Sequence, residues 1–140
     1  MKVLGINGKE YVWNLTGYDV FNDDSRKRSK YHVKARAILK EIFHSYRILE
    51  EVKLPGSTLL HKKSVLYLDF YIPSIKLGVE VHGQQHYEFS TFFHKSKADF
   101  ALAKARDEDK IEWCKLNDID LITLKYSESE DEWRQRIKSI

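Results

Sequence analysis

Asp69, Glu80 and His82 are the residues of this chain whose types and spacing suit chemistry, and they sit on two apolar runs that read as strands folded about Pro73, Ser74, Ile75 and Lys76. If the hairpin closes symmetrically, the numbers of facing residues sum to 149. Leu68 then meets Val81, Phe70 meets Val79 and Ile72 meets Leu77 on one apolar face, while Tyr67 meets His82, Tyr71 meets Gly78 and Asp69 meets Glu80 on the other. Like charges directly opposite each other destabilise a sheet, so the pair calls for a cation between them. A hard divalent ion fits, because Mg²⁺ or Mn²⁺ takes one or two carboxylates, keeps waters and leaves room for a phosphate oxygen. His82 shares the acidic face and can serve as general base or orient a bound water. The plain alternative is that both acids are solvated residues on the open face of an amphipathic hairpin.

The surrounding composition is that of one ordinary domain: 140 residues, 42% hydrophobic and a formal charge of +3. A polyanionic partner is allowed by that charge but not demanded. The lone Cys114 excludes an intramolecular disulfide and a cysteine zinc site, and fits a reducing compartment. No run is long and apolar enough to span a membrane, and Met1 to Tyr11 lacks the apolar segment of a signal peptide, so the expectation is a cytoplasmic protein with no membrane partner. Histidines raise a zinc alternative, since His82 and His86 are four apart and His94 follows. That spacing works on a helix, whereas Gly83 and the preceding strand argue against one here.

The positioning elements follow in order. Asn7-Gly8 signals a small N-terminal hairpin, and residues 1–25 read as hairpin plus linker. Arg26, Lys27, Arg28 and Lys30 form a basic run, either a solvated face or a phosphate clamp. Ser29 caps a predicted helix running to about Phe43, with Val33, Ala35, Ile38, Leu39 and Ile42 as its apolar stripe. A strand from Arg47 to Leu54 ends at Pro55-Gly56, and Lys62 and Lys63 form a basic loop before the central hairpin. Beyond it, Phe92, Phe93, His94, Lys95 and Lys97 could touch nucleic acid by stacking and charge, although Phe89, Phe92 and Phe93 read equally as sheet-edge core. A helix from about Lys97 to Leu116 follows, with Phe100, Leu102, Ala103, Ile111, Cys114 and Leu116 as its apolar members. A strand over Ile119 to Leu124 and a helix over residues 129–140 complete an α/β domain with a mixed sheet flanked by helices, its core over residues 29–124.

An acid on one strand, a Glu about ten residues later and a polar residue two beyond, in helix-strand-hairpin-helix-strand order, resembles the PD-(D/E)xK nuclease superfamily. Leu68-Asp69-Phe70 followed by Glu80-Val81-His82-Gly83-Gln84-Gln85-His86 is similar to a bacterial group of small nuclease-like domains carrying Asp-Phe and then Glu-Val-Asp-Gly-any-Gln-His. It is also similar to very-short-patch mismatch repair endonucleases and to phage homing endonucleases on their fold, where a His-Gly pair follows the metal-binding Asp. Arg106-Asp107, Trp113, Leu116 and the strand after Asp120 look like the downstream part of both groups.

The resemblance implies a restriction-endonuclease-like core, DNA as partner and a Mg-dependent endonuclease of a bacterial or phage-infected cell. It implies metal binding by Asp69, Glu80 and the carbonyl of Val81. His82 falls where the superfamily usually has Lys, and it matches the catalytic histidine of the mismatch repair group. Gln85 and His86 would contact the scissile phosphate. The basic residues Arg26, Lys27, Arg28, Lys30, Lys62, Lys63 and Lys95 would hold the DNA backbone, a homodimer would allow both strands to be cut, and His32 or, second, Glu41 would supply a first-helix catalytic residue. The competing class is a nucleic-acid-binding module on the same fold that has lost its chemistry. A small-molecule enzyme finds no phosphate-binding glycine loop in the sequence.

Overall fold

The structure, a computed structural model, describes residues 1–19, 29–58, 65–84, 87, 89–90 and 94–140. Its elements are β1 (Lys2–Leu4), β2 (Glu10–Val12), α1 (Lys30–Ile42), β3 (Leu49–Leu54), β4 (Leu66–Ile72), β5 (Leu77–His82), α2 (Lys97–Leu116), β6 (Asp120–Lys125) and α3 (Glu130–Lys138). Strands β1 and β2 form a separate antiparallel hairpin, and the main sheet has the order β3-β4-β5-β6. The first three of these run antiparallel, whereas β5 and β6 are parallel and joined by α2. The fold is thus mixed α/β, a four-stranded sheet flanked by helices with an N-terminal hairpin.

Each helix starts where a short oxygen-bearing side chain can take an orphan backbone N–H. Ser29 caps α1 through the N–H of His32, Ser96 caps α2 through that of Asp99, and Ser129 with Glu132 makes a capping box on α3. The sheet divides two cores. On one face Ala35, Ile38 and Leu39 of α1 and Trp133 and Ile137 of α3 cover Phe70, Ile72, Leu77 and Val79. On the other, Trp113 and Cys114 of α2 and Trp13 of the N-terminal segment cover Leu49, Val52, Leu54, Leu68 and Tyr71. Trp13 donates its indole N–H to the Lys53 carbonyl, and its ring lies 4.7 Å from that of Tyr71 and 5.0 Å from that of Trp113. The hairpin closes on the sheet at Gly56 (φ 70°), where a Cβ would sit 2.7 Å from the Gly5 Cα.

The central hairpin follows the expected register over Ile72–Leu77, Tyr71–Gly78 and Phe70–Val79, and the ladder stops there. The expected pairs Leu68–Val81 and Tyr67–His82 do not form in it. The cause is a kink shared by β3 and β4. Glu51 has a left-handed backbone (φ 51°), and the pairs Glu50–Phe70 and Val52–Leu68 on either side of it leave Glu51 and Asp69 as the skipped step. Facing slips by one residue in both strands. Leu49 and Val52 both pack under α2, three positions apart, as do Leu68 and Tyr71. Leu68 therefore leaves the apolar face assigned to it, and Tyr71, expected on the polar face, is fully buried, its hydroxyl finding no hydrogen-bond partner among the described residues.

Turned the other way, Glu50 reaches α1. It accepts from Arg36 at 2.7 Å and lies 2.5 Å from His32 Nε2, while the His32 ring stacks on Phe70 at 4.6 Å. Burial alone would raise the Glu50 carboxyl, but the bonds from His32 and Arg36 outweigh it and hold it below the ordinary glutamate value. A depressed acid stabilises the fold above its unfolded-state pKa, and that contribution fades as pH falls through the lower folded value. Glu50→Ala is expected to cost about 3–5 kcal/mol at pH 7 in urea unfolding, because it removes the buried carboxylate that both His32 and Arg36 bind. The difference from wild type should shrink in strongly acid buffer.

Candidate functional site

Where the ladder ends, the two acids take over its hydrogen bonds. The Asp69 N–H donates to Glu80 Oε2 at 2.9 Å, and the Val81 N–H donates to Asp69 Oδ2 at 2.8 Å. Each carboxylate thus receives a backbone N–H from the opposite strand, which holds the strands apart around the pair. Glu80 is 2% exposed, whereas Asp69 borders a hollow of about 600 Å³ with Glu51, Arg106, Asp107 and Lys110. The cation that the facing acids demand is present in the protein itself. Lys110 Nζ lies 2.5 Å from Glu80 Oε1.

Lys110 stands on the α2 stripe Ala103, Asp107, Lys110, Trp113 and Cys114, spaced three and four apart, whose last two members are buried. That spacing was the available signal, since a lysine three residues before a buried tryptophan falls on the covered side of the helix. Sequence reasoning missed it because Ile111 and Leu116 looked like the apolar members, and both are exposed.

Electrostatics set the character of the cluster. Burial, then the neighbouring Glu80 charge, pushes the Asp69 carboxyl well above the ordinary aspartate value. Burial works against the Lys110 charge as well, yet the Glu80 and Asp69 carboxylates outweigh it and hold the ammonium above the ordinary lysine value. Two acids and one ammonium leave the cluster short of positive charge. Asp69 Oδ1 takes no hydrogen bond among the described residues.

The other expected site residues are dispersed. His82 is on the same strand face as Glu80, but it lines a second hollow with Lys104, Asp107 and Lys125, and its Nδ1 lies 3.1 Å from the Tyr87 hydroxyl. Val81 contributes its N–H to Asp69 and packs its side chain on the α1 side. His32 is not at the site, because it is bound to Glu50 beneath α1. Glu41 is not there either, pairing with Arg134 of α3. His94, expected to be available to nucleic acid, is buried between Phe89 and Phe100. Lys30 and Lys95 are exposed. Arg26, Lys27, Arg28, Lys62, Lys63, Gln85, His86, Phe92 and Phe93 lie outside the described residues.

Among the described residues no three His, Cys, Asp or Glu side chains gather in a metal-holding group. The side-chain oxygens that meet at this point are those of Asp69 and Glu80. No described helix is long and apolar enough to cross a membrane.

Comparison with known proteins finds viral relatives. Uncharacterized protein 307L of Invertebrate iridescent virus 6 is 45% identical over 62 residues, which are 44% of this chain and 32% of that protein. Uncharacterized protein 033L of Invertebrate iridescent virus 3 is 42% identical over 62 residues, again 44% of this chain and 32% of that protein. The matched stretch spans about a third of each of these two relatives. Uncharacterized protein 094L of Frog virus 3 is 29% identical over 130 residues, 89% of this chain and 80% of that protein. No family model and no solved structure matches.

The cluster makes a direct expectation for stability. A group whose folded pKa is raised loses stabilisation as pH rises from its unfolded pKa toward its folded one, so ionised Asp69 works against the metal-free fold at neutral pH. Asp69→Asn should raise Tm at pH 7 and have little effect near pH 3. Lys110→Met should lower stability by about 3–5 kcal/mol, because it leaves Glu80 buried without its cation. Adding Asp69→Asn to Lys110→Met should recover part of that loss in thermal melts at pH 7.

Proposed function

We propose that the protein is a metal-dependent DNA endonuclease with a restriction-endonuclease-like core, acting in the cytoplasm of a virus-infected cell. The observation that carries this reading is the parted hairpin, where Asp69 borders an open hollow with Lys110 and Arg106 and the buried Glu80 meets both Asp69 and Lys110 from behind. Order of elements supports it too, with a helix, an antiparallel three-strand unit and a helix crossing over to a parallel strand. The similar viral proteins fit an infected host cell, and an infecting genome gives such an enzyme a substrate.

Asp69, Glu80 and the main chain at Val81 would hold Mg²⁺, with Mn²⁺ as substitute. Bound there, the ion would polarise a phosphodiester oxygen and lower the pKa of an attached water. Lys110, which reaches Glu80 from α2, would serve in place of the lysine that the superfamily usually carries on the strand. Its ammonium would align the attacking water and neutralise charge that develops on the phosphate. His82, which lines the second hollow beside Tyr87, would align or deprotonate the attacking water only if the substrate spans both hollows. Arg106, at the mouth of the first hollow, would bind a flanking phosphate, as would Lys30 and Lys95. Gln85 and His86, which lie outside the described residues, would contact the scissile phosphate as the resemblance implies, and a homodimer would place two such sites on two strands.

A second reading has its own observation. Lys110 already neutralises Glu80, so the cluster can be a structural ion pair in a module that binds nucleic acid without cutting it.

Supercoiled plasmid and a labelled branched duplex, incubated with Mg²⁺, Mn²⁺ or EDTA, separate the two. Wild type should cut with either metal and not in EDTA, Glu80→Ala should be inactive, and Lys110→Ala should be slower by a factor on the order of a hundred to a thousand. A folded wild type that binds DNA equally in Mg²⁺ and EDTA and never cuts it would leave the binding module standing.

A further inference from the structure

We infer that a tyrosine and lysine ladder beside the site holds an unpaired stretch of DNA, so that the substrate is a junction, flap or other structure with single-stranded character. This rests on the nuclease reading for its biological use, although the binding it describes does not. Tyr31 at the start of α1, Tyr126 just after β6 and Tyr87 in the segment after β5 come from three parts of the sequence, yet their rings form one chain. The Tyr31 and Tyr126 centroids are 6.4 Å apart, and those of Tyr126 and Tyr87 are 6.2 Å apart. All three rings are partly exposed. The chain ends at His82, whose ring centroid is 5.8 Å from that of Tyr87, two residues along β5 from Glu80.

Cations are interleaved with the rings. Lys30 Nζ stands 5.1 Å from the Tyr31 centroid, Lys104 Nζ 5.1 Å from that of Tyr87 and Lys125 Nζ 5.5 Å from the same ring. Part of the local negative charge is already held, as Glu128 is paired with Arg136. Asp107 and Glu108 border the His82 hollow together with Lys104 and Lys125, and Lys30 at the Tyr31 end lies outside that hollow.

The Tyr31 and Tyr126 rings meet edge to face (63°), and partly exposed rings gathered with ammonium groups are what a flexible polynucleotide strand recognises. Bases stack on the rings without regard to sequence, and lysines take the phosphates. A duplex cannot use this surface in the same way, because its bases are already stacked on one another. The register between His82 and Lys125 on the adjacent strands ties the ladder's end to the strand that carries Glu80, and Asp107 lines both the hollow at His82 and the one that Asp69 borders.

The test is fluorescence anisotropy in EDTA, which keeps it independent of cleavage, with labelled oligothymidylate and a duplex of equal length. Wild type should prefer the single strand. Tyr31→Ala with Tyr126→Ala should weaken that binding about ten-fold or more, and the corresponding pair of Phe replacements should bind nearly as wild type does. Lys30→Gln with Lys125→Gln should flatten the slope of log affinity against log salt by about 1.4, since each phosphate that a lysine neutralises on a single strand contributes about 0.7. Those lysine side chains are exposed, so that variant carries the test if the alanine pair fails to fold. Preference for the duplex, undiminished binding by a folded alanine pair, or an unchanged salt slope would each overturn the inference. Absence of cleavage in Mg²⁺, with these binding results intact, would remove the nuclease reading alone.

Discussion

Strands β4 and β5 part at Asp69 and Glu80, where two side-chain carboxylates replace the backbone ladder, and most of the structure around them can be derived from that substitution. A buried N–H must find an acceptor, and here each strand obtains one from the other strand's acid. The exchange brings two like charges together under α2, at a cost that burial magnifies. Lys110 offsets part of it from the helix above. What is left is a buried pair that favours a proton on Asp69.

The kink that permits this is held from behind. Glu50 is locked to His32 and Arg36 on the α1 side, which leaves Glu51 to absorb the change of direction in a left-handed conformation disfavoured for a residue with a Cβ. Because Glu51 and Asp69 share the skipped step, the buried network under α1 and the cluster under α2 are two sides of one distortion. Gly78 lets the sheet close beside it, since a Cβ there would come within 3.2 Å of both Leu68 and Leu121. Apolar packing on both faces thus fixes where the acids stand, and the acids fix where the hairpin opens.

Much of this architecture was legible in the residues. The Ser29 cap with apolar periodicity located α1, periodicity alone located α2, the Pro73 turn set the register as far as Phe70 and Val79, and the opposed acids announced the need for a cation. The register failed beyond Phe70 because period-two reasoning has no means to detect a face slip, and neither Glu51 nor Asp69 is a glycine that would signal one. Lys110 was hidden for a related reason, as it is a charged residue on the covered side of a helix and its partner lies thirty residues away. His32 and Glu41 were assigned by analogy of position, and their true partners, Glu50 and Arg134, are contacts between elements that no local pattern encodes. The tyrosine ladder is likewise assembled from Tyr31, Tyr87 and Tyr126, which are remote in sequence.

The central claim is that the parted carboxylates form a cation site in which Lys110 stands in when the metal is away. Titration with Mn²⁺, followed by the electron paramagnetic resonance of the free ion, measures this without any substrate. The account predicts saturable binding by wild type, loss of it in Asp69→Ala and in Glu80→Ala, and tighter binding in Lys110→Met, where the competing ammonium is gone. Mn²⁺ binding unaffected by Asp69→Ala and Glu80→Ala, or a folded Lys110→Met that binds no ion, would contradict it.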